Sequence, residues 1–308
     1  MKFESDSEKA FEDFSPFWHL CTPGELQSII FRDNDDYVFG MNLIALVTGF
    51  YRDCMKLYTF QIMSNHLHFV VSGEADMVDS FFCDIKKRLQ RYLSMKYSIS
   101  NLKGFSHKLF AVDSLKYLRN VIAYVNRNGY LVDRNSTPFS YKWGANGYYF
   151  NPMVSNESKM YVSDIPVAIQ RKLFRCRDVS LPNDYYLSGG YVSPLCYCSI
   201  LEGELFFKHG NHYFNLVSRQ IEGFADISKE IGDSVTITDE EVFYAAVSLS
   251  RKKFNAGSLN ELNKDDKFEL ARILHYDYNA SNKQIRRILR LDDFVVNSLF
   301  PNSGRNSL

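Results

Sequence analysis

Polar and apolar positions alternate along residues 57–63, where Tyr58, Phe60 and Ile62 share one face and Thr59 and Gln61 the other. That period predicts a strand. Ser64-Asn65 makes a turn, and residues 66–71 read as the second strand of a hairpin. Upstream, residues 17–22 form a short strand closed by Pro23-Gly24. Residues 34–51 show helical spacing through Val38, Met41, Val47 and Phe50, with Asp33 or Asn34 as cap. Downstream, residues 77–97 carry a helical stripe of Val78, Phe82, Ile85, Leu89 and Tyr92. A short strand at 109–112 and a helix at 113–128 complete the series. The order β-α-β-β-α-β plus a further helix predicts an α+β, ferredoxin-like fold.

The flanks are less regular. Residues 1–15 are acidic and polar and read as a loose lead-in, and residues 131–165 are rich in turn formers. Helices are expected at 264–275, 281–289 and 292–300, a compact trihelical unit. The expected organisation is a first domain at 1–150, an accessory α/β region at 151–262 and a helical unit at 263–308.

Composition changes this picture little. Hydrophobic residues make up 45% and charged residues 23%, enough to close a core. The 36 basic and 36 acidic side chains cancel, so polyanion binding must come from local patches. Nine of the acidic residues fall within residues 1–37, and the basic clusters come later. The six cysteines include no CxxC pair, no apolar segment opens the chain, and no run of apolar residues is long enough to span a bilayer. These features suggest a cytoplasmic protein with reduced thiols and no membrane partner. Cys196 and Cys198 lack the second pair that a structural metal site needs.

The chemistry concentrates in Asn65-His66-Leu67-His68. On a strand, residues two apart point to one face, so both imidazoles can reach one metal ion. By itself His-x-His is shared by unrelated metal sites and by ordinary half-buried strands. A second element narrows it. In the helix at 113–128, Tyr117, Val121, Tyr124 and Asn128 form one stripe, so Tyr124 and Asn128 lie one turn apart on one face. A phenol can act as a nucleophile, and two imidazoles with an amide oxygen form a three-donor set for Mg²⁺ or Mn²⁺.

Taken together, Met63-Ser64-Asn65-His66-Leu67-His68 and Tyr124-Val125-Asn126-Arg127-Asn128-Gly129 resemble the motifs of single-tyrosine HUH transposases. Within that family the motifs resemble those of REP-associated tyrosine transposases and insertion-sequence relatives. The His-to-Tyr separation, 124 − 68 = 56 residues, is similar to that of the family, as is the aromatic stretch Phe139-Ser140-Tyr141-Lys142-Trp143. The resemblance covers residues 17–150. It departs at Ser64 and Gly129, where the family carries proline.

The resemblance implies an HUH palm in which Tyr124 is the nucleophile and His66, His68 and Asn128 hold the metal. The enzyme would cut and rejoin single-stranded DNA near hairpins through a 5′-phosphotyrosine. Whether such a site is built within one chain or across a homodimer is not decided by the sequence. Lys86, Lys87, Arg88 and Arg91 would grip backbone phosphates. Lys283, Arg286, Arg287 and Arg290 belong to a helix-turn-helix-like pattern expected to bind DNA. His19 and His107 are candidates for extra site residues, although a structural or surface role is the favoured reading. Two alternatives stand beside this reading: a non-cleaving DNA-binding regulator on the same scaffold, and a metal-dependent phosphohydrolase that uses His66 and His68.

Overall fold

The computed structural model describes residues 2–22, 29–98, 102, 105–132, 140–156, 158–177, 179–219, 239–276, 278 and 280–300. Pro23-Gly24 and Phe139 lie outside the described residues. The fold is α+β and divides into two compact units, Met1–Arg219 and Gln220–Leu308. The sequence reading drew boundaries near 150 and 262; residues 140–219 pack with the first unit.

A four-stranded antiparallel sheet organises the first unit. Its strands are β1 (Phe17–Cys21), β2 (Met55–Ile62), β3 (Leu67–Gly73) and β4 (Lys108–Val112), in the spatial order β2-β3-β1-β4. Helix α1 (Lys2–Phe14) precedes the sheet, α2 (Asn34–Tyr51) joins β1 to β2, and α3 (Ala75–Tyr97) joins β3 to β4. Helix α4 (Leu115–Val132) follows β4. The side chain of Asp33 caps α2 by accepting from the Asp36 amide at 3.0 Å.

Register assigns the faces. Directly opposed residues of antiparallel strands share a face, and β1 sets Cys21 against His68 and His19 against Val70. On β2, Gln61 faces His68 and Thr59 faces Val70, and these polar residues turn toward α4. Leu67, Phe69 and Val71 fall on the opposite face, where Phe69 meets Phe81 of α3 with ring centroids 5.6 Å apart.

Two expectations are corrected. Residues 2–14 are helical rather than a loose lead-in. The acidic composition hid an apolar side: Ser7 is buried with its hydroxyl donating to Leu205 O at 2.7 Å, and Phe11 stacks on Phe17. Tyr58 does not share a face with Phe60 and Ile62, because a β-bulge between Leu57 and Thr59 shifts the alternation. Tyr58 turns instead to Phe17, Phe206 and Ser72.

Residues beyond 140 build around this sheet. The 143–145 segment pairs with the outer edge of β2, through Ile62 N–H to Trp143 O at 2.8 Å and Ala145 N–H to Phe60 O at 3.1 Å. Helix α5 (Val167–Phe174) packs on α2, and strands on either side of it in the chain form a small antiparallel sheet. Its strands are β5 (Met160–Tyr161), β6 (Tyr186–Ser188) and β7 (Tyr191–Val192). Gly189 and Gly190 supply the positive φ values, 65° and 93°, of its two-residue turn. Helices α6 (Ile200–Leu205) and α7 (Gly210–Arg219) then pack on β2 and on α4, respectively. Residues 121–128 of α4 are all buried as a result.

The second unit contains α8 (Asp239–Phe254), α9 (Lys264–Tyr276), α10 (Asn282–Leu289) and α11 (Asp293–Leu299). Ser281 and Gln284 form a capping box on α10, and Asp292 caps α11. The three helices expected from the sequence are present, and α8 joins them. Val242 and Ala246 of α8 share one core with Leu270, Leu274, Ile285 and Val296.

Candidate functional site

The candidate site lies where β1 and β3 meet α4. Strand pairing holds His68 and His19 on the face that α4 covers, and both are fully buried. His66 sits one residue before β3, in the hairpin connection, and is half-buried. Its ring lies 4.9 Å from that of His68, centroid to centroid, with the planes at 84°. The two histidines of the motif are therefore brought together. Nδ1 of His66 stands 2.7 Å from Asn65 Oδ1. An amide oxygen only accepts, so this contact favours the tautomer with its proton on Nδ1, in which Nε2 offers the lone pair that a metal needs.

Tyr124 stands edge-on to this group. Its ring centroid is 5.8 Å from that of His68 and 6.1 Å from that of His19, with the planes at 87° and 73°. Tyr124 is 1% exposed. Asn128 lies one turn beyond it on α4, also buried, and its Nδ2 has no hydrogen-bond partner among the described residues. The unpartnered atom is an N–H donor, which calls for an acceptor such as a phosphate oxygen; a metal ion would be met by Oδ1 of the same amide.

Sequence reasoning undervalued two residues of this site. His19, read as structural or surface, places Nε2 at 3.3 Å from Nδ1 of His68. Cys21 joins them: one donor atom from each of His19, Cys21 and His68 lies within 4.8 Å of the others. The signal was present as a second His-x-donor alternation, His19-Leu20-Cys21, on a neighbouring strand. Only the strand order places it against the first. His107, by contrast, pairs with Asp79 at 2.5 Å and rests on Phe82. Cys196 and Cys198 do not join a metal-type cluster among the described residues. Burial pushes the Cys196 thiol up to about 11 and that of Cys198 higher than usual, which keeps both protonated.

A polar network ties α4 down beside the site. Asn126 accepts from Thr59 Oγ1 and donates to Tyr213 Oη at 2.8 Å, and Gln61 donates to Asn146 Oδ1 at 2.9 Å. The nucleophile candidate is thus carried on a helix locked to both the sheet and α7.

The basic residues of α3 are not at this site. They lie in the layer on the other face of the sheet, where a groove of about 840 Å³ opens between α3 and α5. Lys87, Arg88, Arg91 and Lys96 line one side and Arg171, Lys172, Arg175 and Arg177 the other, against Asp35 and Asp84. Lys86 is not among the lining residues. In the second unit Lys283, Arg286, Arg287 and Arg290 are exposed, and Arg286 is engaged by Asp293 at 2.7 Å. Arg290 adopts a positive φ of 53° in the three-residue link to α11. The second helix, α11, carries no basic residue of its own.

No helix among the described residues is long and apolar enough to cross a membrane. Compared with protein-family models, curated proteins and solved structures, the chain finds no match.

Proposed function

We propose that the chain is a metal-dependent single-stranded DNA endonuclease and strand transferase of the single-tyrosine HUH type, with Tyr124 as its nucleophile. The observation that carries this reading is the meeting of Tyr124 with His68 across the α4–β3 interface, with His66 beside it. The β1-α2-β2-β3-α3-β4 succession and the strand order β2-β3-β1-β4 agree with a ferredoxin-like palm. His66, His68 and Asn128 would hold the cation, which supplies charge neutralisation at the non-bridging phosphate oxygens. Two imidazole nitrogens suit Mn²⁺ better than Mg²⁺, so Mn²⁺ is the more effective of the two.

In the reaction Tyr124 Oη bonds to phosphorus as the bond from phosphorus to the 3′ oxygen breaks. The phenol proton ends on the departing 3′-hydroxyl, and the 5′ side stays on the tyrosine as a phosphodiester. Rejoining is the reverse with another 3′ end. The groove lined by Lys87, Arg88 and Arg91 offers a track for the nucleic acid backbone. The α10 cluster would add a second contact, from α10 and its turn.

A second reading is favoured by one observation, the 1% exposure of Tyr124. A regulator that binds DNA without cutting it has no need to uncover its tyrosine. The test is incubation with labelled, hairpin-bearing single-stranded oligonucleotides and Mn²⁺. The nuclease reading expects an SDS-resistant adduct that disappears in Tyr124→Phe. Binding with no adduct across many hairpins would favour the regulator.

A further inference from the structure

His19, Cys21 and His68 form, among the described residues, the one compact group of three metal-type donors. Antiparallel register places them on one face, from two adjacent strands, and all three are buried. Sheet-borne ligands of this kind are held by the backbone ladder and need little rearrangement to meet an ion. The spacing is informative. An ion that binds imidazole nitrogen at about 2.0–2.1 Å in tetrahedral geometry sets two nitrogens roughly 3.3–3.4 Å apart. His19 Nε2 and His68 Nδ1 stand at 3.3 Å, joined by a hydrogen bond in the metal-free chain and already at the separation that two bonds to one ion would set. A thiolate with two imidazoles is a soft to borderline set, which prefers Zn²⁺ or Co²⁺ to Mg²⁺.

We propose that His19, Cys21 and His68 constitute a binding site for a zinc-class divalent ion, through His19 Nε2, Cys21 Sγ and His68 Nδ1. The site differs from the His66, His68 and Asn128 set in both its donors and the ion it prefers. Loading replaces the contact between the two imidazoles with two nitrogen–metal bonds, and the Cys21 thiol proton passes to solvent as sulfur bonds the ion. Three protein donors leave one tetrahedral position for water or another small ligand. Tyr124 stands edge-on to both rings and would be a neighbour of an ion held there. Because His68 belongs to both donor sets, an ion held here competes for the residue that the nuclease needs. That consequence rests on the proposed function; the binding itself does not.

The experiment uses the full-length protein, stripped with a chelator and titrated with Co²⁺ without oxygen. A thiolate-to-cobalt charge-transfer band in the near ultraviolet should grow to saturation at one ion per chain. Cys21→Ser should remove the band, and His19→Ala and His68→Ala should weaken binding at least about tenfold. His66→Ala should leave it unchanged. Circular dichroism confirms that each variant is folded, and Cys21→Ala provides a second thiol-free chain. Absence of the band in wild type, its survival in both Cys21 variants, or its loss in His66→Ala would overturn the site. No DNA is present, so the outcome is independent of whether the protein cleaves.

Discussion

Asn126 and Tyr213, 87 residues apart in the chain, are joined by a 2.8 Å hydrogen bond in the buried layer beneath α7. Asn126 also accepts from Thr59, and both it and Tyr213 are fully buried. Burial raises the Tyr213 phenol above its usual range, so it stays protonated. Removing the amide leaves two buried hydroxyls short of a partner. Asn126→Ala should cost about 2–3 kcal/mol and Tyr213→Phe about 1 kcal/mol. In urea unfolding the double variant should lose less than the two single losses added together, because the shared bond is counted twice. Strict additivity would show that the two side chains are not coupled.

The entry to α2 predicts a dependence on acid. Asp36 is fully buried and receives Lys96 Nζ at 2.7 Å, Tyr92 Oη at 2.7 Å, Tyr97 Oη at 2.9 Å and the Arg32 amide at 2.8 Å. Burial alone would raise its pKa, but the hydrogen bonds from Lys96, Arg32, Tyr92 and Tyr97 outweigh it and hold it below 3.8. Asp33, which shares Lys96, is lowered as well. A carboxylate lowered on folding stabilises the native state above its unfolded pKa, and that stability is lost as pH falls through the folded value. Stability should therefore be flat at neutral pH with respect to these groups and decline below about pH 4. Asp36→Asn should reduce the acid sensitivity and lower neutral stability by about 3 kcal/mol. An unchanged acid limb would contradict the assignment.

The groove between α3 and α5 predicts a salt effect. Arg171 and Arg175 are exposed on its α5 side, opposite Lys87 and Arg91. If single-stranded DNA follows the groove, Arg171→Gln with Arg175→Gln should weaken binding at low salt. It should also reduce the slope of log affinity against log salt by about 0.7 per lost phosphate contact. The same slope as wild type, measured by fluorescence anisotropy, would place the DNA elsewhere.

Gly144 predicts a steric limit. A Cβ there would meet the Phe60 carbonyl oxygen at 2.7 Å, and that oxygen belongs to a strand that cannot yield. Gly144→Ala should break the 143–145 pairing with β2 and lower the thermal midpoint, at a cost of about 1–3 kcal/mol. A midpoint equal to wild type would show that this segment is not held as described.

Much of the first unit was legible from periodicity, and the reasons are local. Residues 34–51 match α2 because apolar residues at helical spacing run through Val38, Met41, Val47 and Phe50 behind an acidic cap at Asp33. The capping signal at Ser281 likewise located α10. What escaped depends on distant packing. Helix α1 looks polar until Ser7 and Phe11 find partners on α6 and β1. The bulge at Tyr58 has no period to announce it. His66, His68, Tyr124 and Asn128 were legible as spacing along single elements. His19 and Cys21 were not, because their place beside His68 follows from β1 lying next to β3 in the sheet. The basic face of α3 was visible, but its α5 counterpart lay in a region without a motif.

The measurement that reaches the central claim most directly is peptide mass spectrometry of protein incubated with a hairpin-bearing oligonucleotide and Mn²⁺. The account predicts a peptide spanning Tyr124 that carries a nucleotide through a tyrosyl phosphodiester, with the oligonucleotide's 5′ fragment released with a 3′-hydroxyl. Cleaved DNA with Tyr124 unmodified, or a nucleotide carried on a different tyrosine, would contradict it.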